Sequence, residues 1–189
     1  QTNVIKSCGK ISVMDNVVKL LFEIGSLKLV PRSGWFKVGI KEPETVAEHT
    51  FRTAILAFIV AREETSDLDI ALKAAFLGLI HDLHESRTLD LHKVAKRYTS
   101  VDSQQVLKEQ MEALGLEEEV EGMKNLQHYV KDADKLELLL QAKEYSEQHP
   151  SAMIYTNNLE FESKAAKKLA ERIRESDHRW WLDFEEVHG

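Results

Sequence analysis

Apolar residues recur at helical spacing along most of this 189-residue chain, and residues that stop helices are scarce. There are eight glycines and three prolines, and strand-like alternation is nearly absent. Such a pattern predicts an all-α fold, a helical bundle. Val17, Leu20, Leu21 and Ile24 lie on one helical face. Ser26 to Ile40, with Pro31, Gly34 and Gly39, reads as a loop. After Pro43, the positions Val46, Phe51, Ile55, Phe58 and Ile59 suit a helix. Leu68 to Leu83 reads as another, capped by Ser66 or Asp67. Thr88 to Thr99 reads as a loop with a short helix, and Ser103 to Leu114 as a helix stopped by Gly115.

Glu117 to Glu147 carries one long helical pattern with Leu126, Val130, Ala133, Glu137 and Leu140 on a shared face, and Pro150 beyond it. Leu159 to Glu175 is expected to form the last helix. The aromatic tail Trp180-Trp181-Leu182-Phe184 is expected to dock on the body or on a neighbouring subunit. The length fits one domain over residues 1–189, with a core at about 12–147 and a C-terminal helix and tail at 158–189.

Hydrophobic residues are 43% and charged residues 30% of the chain, which excludes wholesale disorder. A net charge of −7 argues against nucleic-acid polymers and anionic membranes as partners, since both call for a basic face. It leaves room for a small anionic substrate, because a bound cation reverses the local field. The longest apolar run, Ala54 to Ala61, is far too short for a membrane span. The lone cysteine, Cys8, allows neither an internal disulfide nor a cysteine-based zinc site, and fits a reducing, cytoplasmic setting. No signal-peptide pattern opens the chain, and its first residue, Gln1 rather than Met, points to trimming or processing.

The apolar run Phe76-Leu77-Gly78-Leu79-Ile80 ends abruptly in His81 and Asp82, with His84, Glu85, Asp90 and His92 close behind. Carboxylates beside a hydrophobic run are costly unless paired, hydrogen-bonded or bound to a metal. His49 and Asp134 are two further candidate ligands on or near helices. Two imidazoles and two carboxylates suit one borderline divalent ion, Mn, Fe, Co, Ni or Zn. Neighbours on a helix point about 100° apart, so His81 and Asp82 both reach an ion only if it sits between them. A helix-end histidine followed by a loop aspartate is the rival reading of that dipeptide alone.

The segments Val30-Pro31-Arg32-Ser33-Gly34-Trp35, Glu44 to Arg52 around His49, Leu79 to Glu85, Leu89-Asp90 and Val130 to Glu137 occur in this order. Together the set resembles the HD-domain metal-dependent phosphohydrolase superfamily, and within it the 5′-deoxynucleotidase branch, over roughly residues 12 to 147. The resemblance implies His49, His81, Asp82 and Asp134 as ligands of one divalent metal. It implies Glu85 as the acid/base residue and Asp90 as the carboxylate near the scissile ester. Arg32 and Trp35 match residues set against the nucleotide. It further implies a small-molecule nucleotide substrate and assembly into homo-oligomers, dimers or higher. Motif register favours Asp134 over its near neighbour Asp132.

Rival readings stay open for single residues: Glu85 as a solvated helix end, Asp90 as the N-cap of the next helix, Trp35 as plain core, and Glu48 pairing with Arg52. His84 and His92 read as surface or supporting residues, and His128, His149, His178 and His188 as non-ligands. An HD hydrolase of another phosphoester (nucleoside triphosphate, cyclic nucleotide or alarmone) and a non-catalytic HD-fold scaffold are the competing functions.

Overall fold

Helix starts are decided by who accepts the first free N–H groups. In the computed structural model, which describes residues 13–187, the chain's own side chains do this for several of the helices. After α1 (Val13–Gly25), Thr45 opens α2 (Val46–Thr65) with a reciprocal capping box to Glu48. Asp67 opens α3 (Leu68–Ile80), accepting from the N–H groups of Asp69 and Ile70. Ser66, the other candidate cap, instead closes α2 in a left-handed conformation.

Ser26 to Ile40 is more ordered than the expected loop. It holds two 3-10 turns, Ser26–Leu29 and Ser33–Val38, and Pro31 bridges to Thr45. No strand forms among the described residues, and no helix there is long and apolar enough to cross a membrane. Cys8 and His188 lie outside the described residues.

Helices α2 and α3 lie unusually close. A Cβ on Gly78 would come within 3.0 Å of the Ala54 Cα and 3.2 Å of the Ala57 Cβ. Only glycine permits that approach without moving the backbone. The helix then ends at Ile80, short of Leu83, and His81 to His84 continue as a turn. Two single-turn helices follow, α4 (Glu85–Thr88) and α5 (Lys93–Lys96). Asp90 is not the cap of α5; His92 is, accepting from the Ala95 N–H. α6 (Ser103–Leu114) stops as expected at Gly115, whose φ is 66°.

The long pattern after Glu117 is broken. α7 (Glu117–Gly122) and a 3-10 turn, Lys124–Leu126, precede α8 (Gln127–Tyr145). The apolar spacing continues across the break because both pieces face the same core, which includes Leu126, Val130, Ala133 and Leu136. The last helix also starts later than expected: α9 is Lys164–Glu175, capped by Ser163. Asp132 explains this. Fully buried, it accepts from the N–H groups of Glu162 and Ser163 and from the Ser163 hydroxyl at 2.7–2.9 Å. Those contacts hold the segment before α9 in a non-helical path.

The tail rings Trp180, Trp181 and Phe184 stack edge-on among themselves and stay exposed. Just before these rings, His178 and Arg179 lie 3.6 and 3.7 Å from the Glu147 carboxylate.

Removing the Asp132 carboxylate strands the buried Ser163 N–H and leaves the Ser163 hydroxyl and the Glu162 N–H without their acceptor, so Asp132→Ala is expected to lower unfolding free energy by about 3 kcal/mol. Leu89 should behave oppositely. Its φ of 62° and ψ of 162° fall where glycine alone is comfortable. Such strain costs about 1–3 kcal/mol, more than the roughly 0.5–1 kcal/mol of chain entropy a glycine loses. Leu89→Gly is therefore expected to raise stability by about 1 kcal/mol. Urea unfolding midpoints at constant m-value check both; a lowered midpoint for Leu89→Gly would contradict the strain.

Candidate active site

The site begins with a salt-bridged knot between α2 and α8. The Glu137 carboxylate, almost fully buried, accepts from His49 Nδ1 at 2.7 Å through one oxygen. Through the other it accepts from Arg52 Nε and Nη2 at 3.1 and 2.9 Å. Arg52 also reaches Glu144 and Gln141. Arg52 therefore does not pair with Glu48, which is spent on the capping box. Glu137 was missed as a site residue; its signal was a carboxylate on an otherwise apolar helix face.

This knot fixes the His49 ring. Because Nδ1 donates to a carboxylate, Nε2 of the neutral ring carries the lone pair. His81 is arranged alike, with Nδ1 on the Gly78 carbonyl oxygen at 2.7 Å. A carbonyl can only accept, so His81 Nε2 is also the lone-pair nitrogen. The two Nε2 atoms face one another at 3.4 Å. Asp82 Oδ2 lies 3.2 Å from His81 Nε2 and 3.7 Å from His49 Nε2, and Asp134 Oδ1 lies 3.2 Å from His49 Nε2. His49, His81 and Asp82 form a group able to hold a metal ion, and Asp134 borders it through His49. Asp132, by contrast, points away into the α9 cap.

Arg32 closes one side, 3.2 Å from Asp82 and 3.6 Å from Asp134. Glu85 is buried at 2% exposure rather than a solvated helix end, and its Oε2 has no hydrogen-bond partner. An orphaned buried oxygen beside paired lone-pair nitrogens is what a cation-binding donor set would leave. Asp90 Oδ2 accepts from the Ser33 N–H at 2.6 Å, tying the Arg32 turn to the segment before α5. Trp35 is core in part: it is 3% exposed, donates to Glu44 at 3.0 Å, and packs edge-on against Tyr145 and Tyr155. It still contributes to the wall of a cleft of about 690 Å³ that holds Arg32, Asp82, Glu85, Asp90 and Asp134. Six of the eight expected site residues thus line this cleft, and His49 and His81 adjoin it through Asp82 and Asp134. His92 is a helix cap that also lines the cleft, half-buried His84 lines neighbouring cavities instead, and His128 bonds the Asn125 carbonyl.

Charge tunes each group. Burial pushes the Glu85 carboxyl up to about 8, with the nearby Asp82 and Asp90 charges adding to the rise. Burial likewise opposes charge on Asp82, but His81, Arg32 and His49 outweigh it and hold the carboxyl well below the usual range. For His49, burial disfavours the charged ring; the bonds to Asp134 and Glu137 prevail and raise it to about 9. A metal and a proton compete for the same Nε2 lone pair.

Comparisons with known proteins agree with this geometry. A family model described as an HD domain matches residues 24–177, past the Glu147 limit of the sequence resemblance and through α9. The 5′-deoxynucleotidase HDDC2 of Bos taurus is 30% identical over 148 residues, 70% of this chain and 69% of that protein. Its Dictyostelium discoideum namesake is 31% identical over 156 residues, 71% and 80% of the two chains. Among solved structures, one from a genomics programme superposes with a TM-score of 0.80 at 46% identity, covering 89% of this chain and 99% of that one. A protein of Archaeoglobus fulgidus gives 0.68 at 40% identity, covering 89% and 100%. A family match over most of the helices that carry the facing imidazoles and their carboxylates leads to one conclusion: this chain belongs to the HD-domain family of metal-dependent phosphohydrolases.

Proposed function

We propose that this chain hydrolyses nucleoside 5′-monophosphates, deoxyribonucleotides foremost, to nucleoside and phosphate. The observation that carries this reading is the pair of facing Nε2 atoms with two carboxylates in a cleft that also holds an arginine and two further acids. The curated relatives are named 5′-deoxynucleotidases, which supports the substrate class.

His49, His81, Asp82 and Asp134 would hold one divalent ion, Mn, Co, Ni, Fe or Zn. When bound, such an ion supplies Lewis acidity toward a phosphoryl oxygen and lowers the pKa of water. The chain's own groups do the rest. Arg32, now between Asp82 and Asp134, offers its fork of N–H donors to the phosphate. Glu85 is held near its neutral form at ordinary pH, suited to taking up and passing on a proton. Asp90, anchored by the Ser33 N–H, serves the leaving 5′ oxygen. Trp35 braces the wall against which sugar or base packs.

Phosphate release tests the reading. The protein is stripped with chelator, given Mn, Co, Ni, Zn, Fe or Mg singly, and offered deoxy- and ribonucleoside 5′-monophosphates. Metal-dependent release from the deoxy set is expected, falling at least about 100-fold in His81→Ala. Silence on every monophosphate by a metal-loaded protein would remove the nucleotidase reading and turn the search to other phosphoesters. Glu137→Gln keeps the shape of the His49 contact but weakens its charge. It is expected to lower metal affinity about 10- to 100-fold, read by competition with a chromogenic chelator. Unchanged affinity would show that Glu137 only holds helices together.

A further inference from the structure

Glu85 stands on a helix with little support of its own. α4 is a single turn, Glu85–Thr88, too short to be stable alone. Its N-cap, His84, makes no side-chain cap bond, and it ends in the strained backbone of Leu89. Glu85 Oε2 is buried without a hydrogen-bond partner, so the carboxyl sits chiefly where the α4 backbone puts it. A group outside the cleft has to fix that backbone.

That group comes from α6. Gln110 is fully buried there. Its amide nitrogen lies 3.2 Å from the Leu83 carbonyl oxygen, 3.0 Å from the Ser86 hydroxyl and 2.5 Å from Glu23 Oε1 on α1. A carbonyl and a carboxylate only accept, so the nitrogen and not the oxygen must face them. The Gln110 oxygen is left buried with no partner, a cost that an amide free to turn would avoid. Ser86 completes the clasp, its hydroxyl 2.8 Å from the Leu83 carbonyl oxygen and 3.1 Å from Glu23 Oε1. Arg87 adds bonds to both Glu23 oxygens, at 2.8 and 3.1 Å, and to Glu109 at 2.6 Å. None of Glu23, Leu83, Ser86, Arg87 and Gln110 lines the cleft.

We propose that Gln110 is the positioning residue of the Glu85 carboxyl: its amide, backed by Glu23, fastens Leu83 and Ser86 and so holds α4 with Glu85 in the cleft. This rests on the reading of Glu85 as the proton-handling group of the hydrolysis proposed above. The place calls for glutamine, a neutral side chain that donates to a carboxylate and a carbonyl at once. A glutamate would set a second carboxylate against Glu23. A methionine would fill the space and donate nothing. The clasp is separable from the metal ligands, because Glu137 and the Gly78 carbonyl orient His49 and His81.

Gln110→Met in the intact chain tests this. Helical circular dichroism and metal affinity are expected to stay at wild-type values, while kcat for a nucleoside monophosphate falls about 10-fold at constant KM. Added to Glu85→Gln, the same substitution is expected to lower kcat no further, since it acts through Glu85. An unchanged kcat in the folded variant overturns the proposal, as does an equal loss in the Glu85→Gln background or a loss of metal affinity that accounts for the lost rate. A second arm needs no substrate. The Arg87, Thr88 and Leu89 amides bond the His84 and Glu85 carbonyl oxygens, and in Gln110→Met they are expected to exchange hydrogen faster while α2 and α8 do not. Unchanged exchange in α4 overturns the proposal. Silence of the wild-type protein on every monophosphate would strike the nucleotidase reading instead, and the exchange arm then decides the clasp by itself. Should Gln110→Met fail to fold, Ser86→Ala opens the same clasp more gently and is read in the same two ways.

Discussion

The buried contact between Glu137 and His49 is the constraint on which the site depends. It joins α2 to α8 at the level where the metal-ligand candidates gather. Burying an ionised carboxylate is expensive, and here the cost is met by three charge-assisted hydrogen bonds, one from His49 and two from Arg52. In return the imidazole cannot rotate, and its Nε2 is aimed at the Nε2 of His81. The His81 ring is set by a simpler device, the Gly78 carbonyl one turn back along the same helix. That carbonyl is available because α3 ends at Ile80. Gly78 thus has two jobs: it lets α2 and α3 close up, and its backbone orients the second ring.

Much of this was legible in the sequence where the governing interaction is local. The stop of α6 at Gly115 and the start of α3 after Asp67 need only neighbouring residues, and both were read correctly. The helical period identified the fold class for the same reason. Two of the rival readings fail because a distant partner overrides a local rule. Arg52 is four residues from Glu48 and would pair with it on an isolated helix, yet a buried acid 85 positions later claims it. Asp90 looked like a cap but bonds the turn that follows Arg32. The apolar spacing from Glu117 to Glu147 concealed a break at Gly122, since period alone does not report whether the backbone is continuous.

Asp132 and Asp134 show the two kinds of information side by side. Both are acids near the start of α8, and composition treats them alike. Only the fold separates them: Asp132 is sealed under the cap of α9, while Asp134 borders His49 and Arg32. A motif register favoured Asp134 without giving the reason. The reason is that residues two apart on a helix point about 200° apart, so one faces α9 and the other faces the cleft.

The charge distribution follows the same logic of global sum against local arrangement. The chain carries seven excess negative charges, which by itself would repel a phosphate. Yet the cleft is lined by Arg32, Lys37, Lys93, Lys96 and Lys135 as well as by the acids Asp82, Glu85, Asp90, Asp134 and Glu160. For an anion in the cleft, charges within about 10 Å at ordinary salt dominate the far ones. The acids supply the negative charge that, with the imidazoles of His49 and His81, a divalent ion would call for. Cations and acids lining one cleft suit ligands of either charge, and the net charge of the sequence conceals that arrangement.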